Sequence, residues 1–101
     1  MNPLKERTEA MTKADIVRSI SESTGMTRTD VALVVNGVLD SIREALVEGE
    51  RIEIRGFGVF KVVRRAPRTA RNPRTNEPVW IGERFAPVFV PSRKLRAKVE
   101  K

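Results

Sequence analysis

The 101-residue chain has no cysteine and no histidine, and its aromatics amount to one tryptophan and four phenylalanines. Without cysteine there is no disulfide and no thiolate chemistry. Without either residue, zinc-finger ligand sets and the commonest general base are excluded. No apolar run approaches the roughly 20 residues that a membrane span needs. The first eleven residues, MNPLKERTEAM, mix Lys5, Glu6, Arg7 and Glu9 with no apolar stretch, unlike a signal peptide. No phosphate-binding glycine loop and no nucleophile–base set is present. The sequence therefore predicts no enzyme, no metal, no cofactor, no small-molecule ligand and no membrane, and a cytoplasmic location.

What the chain has is positive charge in one place. Twenty Lys and Arg stand against thirteen Asp and Glu, a net charge of +7. The stretch Arg55–Asn76, RGFGVFKVVRRAPRTARNPRTN, holds Arg55, Lys61, Arg64, Arg65, Arg68, Arg71 and Arg74 and no acidic residue. It begins as an apolar strand, becomes polar and basic, and ends at an Asn72-Pro73 turn before a second strand, Val79-Trp80-Ile81. That pattern predicts a β-hairpin arm whose far half has nothing apolar to pack on. A cationic arm of this kind needs a polyanion, and nucleic acid fits best. Arg68, Arg71 and Arg74 recur every third residue, so their guanidinium groups can bridge phosphates or enter a narrow minor groove. A solvated arginine face is disfavoured, because the like charges would repel one another.

The rest of the chain is patterned for a small α+β domain. Thr12-Lys-Ala-Asp15 has capping-box spacing, and Ile16, Val17 and Ile20 follow at helical spacing until Gly25 closes the helix with positive φ. Thr27-Arg-Thr-Asp30 repeats the cap before a longer helix that runs to about Val47 and stops at Gly49. Its residues Val31, Val34, Val35, Val38, Leu39, Ile42, Ala45 and Leu46 fit one helical face, with Ala32 and Leu33 widening it. A short helix and a hairpin cannot cover that much apolar surface, so burial against a second subunit is expected. Arg51–Arg55 alternates as a half-buried strand, Gly56-Phe57-Gly58 is a turn between conformationally free residues, and Val59–Val63 is the next strand. The return strand spans Ile81–Val90, with Phe85 and Phe89 for the core and Pro87 marking an edge or bulge. Ser92 caps a last short helix with Leu95 and Val99 as its apolar face. Phe57 and Phe60 are core by spacing. Trp80 is assigned to packing and kept out of the site.

The motif Gly56-Phe57-Gly58-Val59-Phe60, followed by Arg68-Thr-Ala-Arg71-Asn72-Pro73-Arg74-Thr75, resembles the bacterial HU/IHF family of histone-like DNA-bending proteins. The likeness covers about residues 11–101. It implies two N-terminal helices, a three-stranded antiparallel sheet with a long hairpin arm, a short C-terminal helix and an intertwined dimer that wraps double-stranded DNA. Residues 1–11 would be a disordered extension, 12–49 the helical dimerisation part, 50–91 the sheet with arm 64–81, and 92–101 the last helix. On the family pattern Pro73 matches the proline that wedges between base pairs, Arg65, Arg68 and Arg71 match arm arginines, and Lys13, Arg93 and Arg96 match flanking phosphate contacts. With Arg64, Asn72 and Arg74 these make up the candidate DNA-binding set. Asn-Pro is also an ordinary turn dipeptide, and only the surrounding motif favours the wedge.

The sequence departs from that pattern at four places. Ala70 and Asn76 stand where glycines are frequent, Val63 where arginine is common, and Ser92 where glycine often precedes the last helix. Asn tolerates positive φ, so Asn76 should keep the turn, whereas Ala70 suits a strand. The resemblance implies nucleoid association and low sequence specificity, with a homodimer as the expected form. A sequence-preferring, IHF-like heterodimer subunit is the alternative within the family. An RNA-binding module would need exposed aromatics on a sheet, and a β-augmentation scaffold would need a less charged edge.

Overall fold

A computed structural model of the chain describes residues 9–100. The expected extension 1–11 lies mostly outside the described residues. The described chain runs α1 (Lys13–Thr24), α2 (Arg28–Val47), β1 (Ile52–Ile54), β2 (Gly58–Arg65), β3 (Arg68–Arg71), β4 (Pro78–Ile81), β5 (Arg84–Pro91) and α3 (Arg93–Glu100). It divides into two compact units, one ending at Asp40 and the other beginning at Ser41.

In the first unit the capping box forms as its spacing predicts. The Asp15 N–H donates to Thr12 Oγ1 at 3.2 Å, and the Thr12 N–H donates to Asp15 Oδ2 at 2.9 Å. These bonds satisfy donors that a helix start otherwise leaves orphaned. Gly25 ends the helix at φ 79°, its N–H donating to the Ser21 carbonyl. Thr27 caps the second helix, with its hydroxyl accepting from the Asp30 N–H at 3.1 Å. Val17 and Val31 are the only buried hydrophobic residues among those described, and neither is fully enclosed.

In the second unit β2 is the centre of a three-stranded antiparallel sheet of order β1-β2-β5. Its register sets Phe60 against Phe89 and Val62 against Pro87, so the proline sits on an edge strand, where its missing N–H costs no ladder bond on the open side. Phe57, Phe60 and Phe89 cluster with ring centroids 4.8–6.4 Å apart. A second, two-stranded sheet pairs β3 with β4. Ser92 caps α3 by accepting from the Leu95 N–H at 3.1 Å.

Three expectations need correction. The return strand is broken at Gly82-Glu83 instead of running on from Ile81. The sheet ladder extends through Arg65↔Arg84 and stops there, because Pro67 on the opposing segment has no N–H to donate. Arg64 and Arg65 thus end the main sheet, and the free hairpin starts at Arg68. The two glycines around Phe57 differ in role. Gly56 has φ 79°, but Gly58 does not have positive φ; a Cβ there would lie 2.5 Å from the Val90 carbonyl oxygen and 2.6 Å from the Phe89 ring. The aromatic residues assigned to the core are not enclosed by one chain: Phe57, Phe85 and Phe89 remain partly or largely exposed. The same holds for Leu33, Val34, Val38 and Leu39 of α2.

Gly58→Ala should therefore destabilise the fold by about 1–3 kcal/mol, since the Val90 backbone cannot move aside cheaply. A lowered thermal midpoint at fixed protein concentration checks this. The Asp15 carboxyl is held below its ordinary pKa, first by the Thr12 backbone N–H, then by the Thr12 hydroxyl, with Arg18 adding a favourable charge. Its folded pKa lies below its unfolded one, so its contribution is present above the ordinary carboxylate value and is lost as pH falls through the lowered folded value. Asp15→Asn should flatten that part of the acid side of a stability–pH curve measured by denaturant titration.

Candidate nucleic-acid interface

The tip of the hairpin is closed by its own polar groups. The Asn72 N–H donates to the Glu77 carbonyl at 2.9 Å, and the Asn76 N–H donates to the Asn72 carbonyl at 2.7 Å. The Asn72 side-chain oxygen accepts from the Arg74 N–H at 2.9 Å, a side-chain turn that asparagine makes readily. Thr75 Oγ1 accepts from the Glu77 N–H at 3.3 Å. Asn76 has φ 60°, the one positive-φ residue other than glycine among those described. Asparagine tolerates that conformation, so its replacement of a glycine keeps the turn. Ala70 lies in β3 and has no positive φ.

This closure leaves Pro73 at the apex, exposed and flanked by exposed Arg71 and Arg74. Arg71 has a structural task as well: its Nη1 donates to the Asn76 carbonyl at 2.8 Å, bracing the tip. Asn72 is half-buried because it holds the turn together.

Where the sheet ends and the hairpin begins, Arg64, Arg65, Arg68 and Arg84 line one shallow depression with Ala66 and Pro67. Arg65 and Arg84 are directly opposed across the β2–β5 ladder. Like charges in that position repel, so the free arm holds a concentration of positive charge that an anion relieves. Arg84 escaped the sequence reading because it lies outside the Arg55–Asn76 run; only the antiparallel register brings it back to Arg65. The return half also supplies a carboxylate. Glu83 Oε2 lies 2.5 Å from Arg64 Nε in an exposed ion pair. Such a pair is worth at most about 1 kcal/mol, so it lowers the free charge of Arg64 without locking the side chain away.

The flanking cations are distributed over both units. In the first, Lys13 Nζ donates to Asn36 Oδ1 at 2.7 Å. Lys13 also lines a shallow depression with Arg28, a second cation that the sequence reading passed over. In the second, Arg93 and Arg96 are exposed on α3, three residues apart and so on one helical face. The structure thus gathers Arg64, Arg65 and Arg68 at the arm's base and Arg71, Asn72, Pro73 and Arg74 at its tip. Among the described residues no group of acidic side chains is arranged to hold a metal, and no helix is long and apolar enough to cross a membrane.

The sequence matches the family model described as bacterial DNA-binding protein over residues 11–100. The chain belongs to that family. It is 39% identical over 90 residues to the DNA-binding protein HU of Thermotoga maritima, covering 89% of this chain and 100% of that protein. It is 42% identical to the integration host factor subunit beta of Marinobacter nauticus, covering 88% of this chain and 92% of that one. Among solved structures it is similar to Anabaena HU in a cocrystal with DNA, with a TM-score of 0.81, 32% identity, and coverage of 88% of this chain and 97% of that one. Thermotoga maritima HU superposes with a TM-score of 0.63 at 29% identity, covering 88% and 98%. The family match begins at residue 11, so residues 1–10 lie outside it.

Within this bacterial DNA-binding protein the tip closure makes a specific prediction. Asn76→Gly should preserve the hairpin. Asn76→Val should cost roughly 1–2 kcal/mol locally, because a β-branched side chain is strained at positive φ. Amide exchange at Asn76 and Glu77 should rise in the valine variant and stay near the parent rate in the glycine variant.

Proposed function

We propose that two copies of this chain associate through the exposed face of α2 and together bind and bend duplex DNA, as an architectural protein without catalytic activity. The observation that carries this reading is the exposed Pro73 at the apex of a cationic hairpin. Its ring is rigid and apolar and has no N–H, so it can enter a base step without burying an unsatisfied donor. Unstacking a step costs a few kcal/mol, which the phosphate contacts made by wrapped arms offset. Minor-groove wedging by apolar side chains is a general mode of architectural DNA-binding proteins, HU and IHF included; what is particular here is the set of residues that would carry it.

The candidate set divides by role. Pro73 is the wedge. Arg65, Arg68, Arg74 and Arg84 supply charge to the backbone or the groove, and Arg64 joins them when a phosphate displaces Glu83. Asn72 and Arg71 set the tip. Lys13, Arg93 and Arg96 extend the contact to phosphates beyond the bend. Backbone contacts position a protein on DNA and carry no sequence information, so HU-like binding with low specificity, and residence on the nucleoid, follow. The likeness to integration host factor beta subunits keeps a sequence-preferring heterodimer as the second reading. Competition with random duplexes separates them: a preference beyond roughly a thousandfold for one site favours the second.

The wedge is tested by comparing two single variants. Pro73→Ala should reduce bending, read by energy transfer between duplex ends, far more than it reduces affinity, because every arginine remains. Arg74→Ala should weaken binding and reduce the salt slope by about one contact per arm while bending persists in the bound complex. Arg74 serves better than Arg71 here, because removing Arg71 also removes the bond to the Asn76 carbonyl. Parental bending by Pro73→Ala would reduce Pro73 to a turn residue.

A further inference from the structure

The single tryptophan does not pack. Trp80 lies on β4 with 70% of its surface exposed, on a two-stranded hairpin whose other apolar side chains, Ala70, Val79 and Ile81, lie on its opposite face. The aromatic pairs among the described residues join only Phe57, Phe60 and Phe89. Among the described residues the indole N–H has no hydrogen-bond partner. Arg71, a diagonal neighbour that could have lain over the ring, sends its guanidinium to the Asn76 carbonyl at the tip instead. A large aromatic surface kept bare on a monomeric hairpin marks a contact with something else.

The hairpin register says what that surface accompanies. Thr69 pairs with Trp80 and Arg71 with Pro78, so these four share one face. Arg68, Ala70, Val79 and Ile81 share the other. The first face carries a hydroxyl, an indole N–H and the Arg71 guanidinium, of which Nη1 already donates to the Asn76 carbonyl while its other N–H groups remain. On the second, the three residues other than Arg68 offer no side-chain donor. The DNA minor groove presents acceptors along its floor, adenine N3 and thymine O2, between walls of deoxyribose. A face with spaced donors and one flat ring complements that groove along its length; a face of Ala70, Val79 and Ile81 with its one donor, Arg68, at the base of the arm does so only at that end. The positive charge around the arm's base selects a polyanion as the occupant over a neutral protein strand.

We propose that the Thr69–Arg71–Pro78–Trp80 face of the hairpin is the one that enters the minor groove, with the Trp80 ring lying flat on a deoxyribose and its N–H directed to a groove acceptor. Trp80 is then a DNA-contacting residue in its own right. This rests on the DNA-binding reading above and adds to it which face of the arm meets the duplex.

Because Trp80 is the only tryptophan, the unmodified protein reports on it directly. Its emission and its accessibility to acrylamide are measured during titration with duplex DNA, while the anisotropy of labelled duplex follows binding independently. At saturation the emission should change and quenching should fall at least about twofold, as expected when an exposed ring becomes covered. Heparin, a polyanion with no groove, should bind by charge and leave quenching unchanged. Trp80→Ala should lose about five- to tenfold in duplex affinity, at the lower end of the range of ring-stacking contacts, and Trp80→Phe should recover most of it. Circular dichroism confirms that both variants fold. Saturated binding with unchanged quenching overturns the proposal, as does equal protection by heparin. A ring already shielded in the free protein also overturns it, since a second copy would then be the occupant. Absence of duplex binding in the anisotropy signal would instead remove the DNA-binding reading on which it stands.

Discussion

The constraint on which everything else depends is that one chain cannot cover its own apolar surface. Only Val17 and Val31 among the described hydrophobic side chains are buried, while Leu33, Val34, Val38 and Leu39 of the long helix, and Phe57, Phe85 and Phe89 of the sheet, keep substantial exposure. Each such side chain is worth about 1.5–3 kcal/mol when taken out of water. A net stability of only 5–15 kcal/mol cannot be built without them. On the proposed reading a second subunit completes the core, and the pairing of two arms is a consequence of the same shortage of core.

The arm obeys the opposite economy. It has little to bury and is shaped by local hydrogen bonds, with Asn72, Asn76 and Arg71 closing the tip around Pro73. Its base sets Arg65 opposite Arg84, an arrangement that is unfavourable alone and favourable beside phosphate. Glu83 tempers this by pairing with Arg64. The hairpin is thus poised between self-repulsion and binding, and salt acts on both sides of that balance.

Much of this was legible in the sequence because it is encoded by local chemistry. Thr12 and Asp15, Gly25, Ser92 and the Asn72–Asn76 turn each act within a few residues, and each took the conformation its side chain favours. The family motifs supplied the arm and its wedge candidate. What could not be read was set by register and by tertiary closeness. Arg84 faces Arg65, and Glu83 reaches Arg64, only because β5 pairs antiparallel with β2. Gly58 is needed for the space beside Val90 and Phe89, which no spacing rule reveals. Strand tryptophans usually pack, and the sequence alone points Trp80 that way, yet on its hairpin the ring is left 70% exposed.

The most direct measurement is the thermal unfolding midpoint as a function of protein concentration, alongside the mass of the folded species by light scattering. Coupled folding and association require a midpoint that rises with concentration and a folded mass near twice that of the 11.4 kDa chain. A folded species of single-chain mass, with a midpoint independent of concentration, would contradict the claim that this sequence completes its core only with a partner.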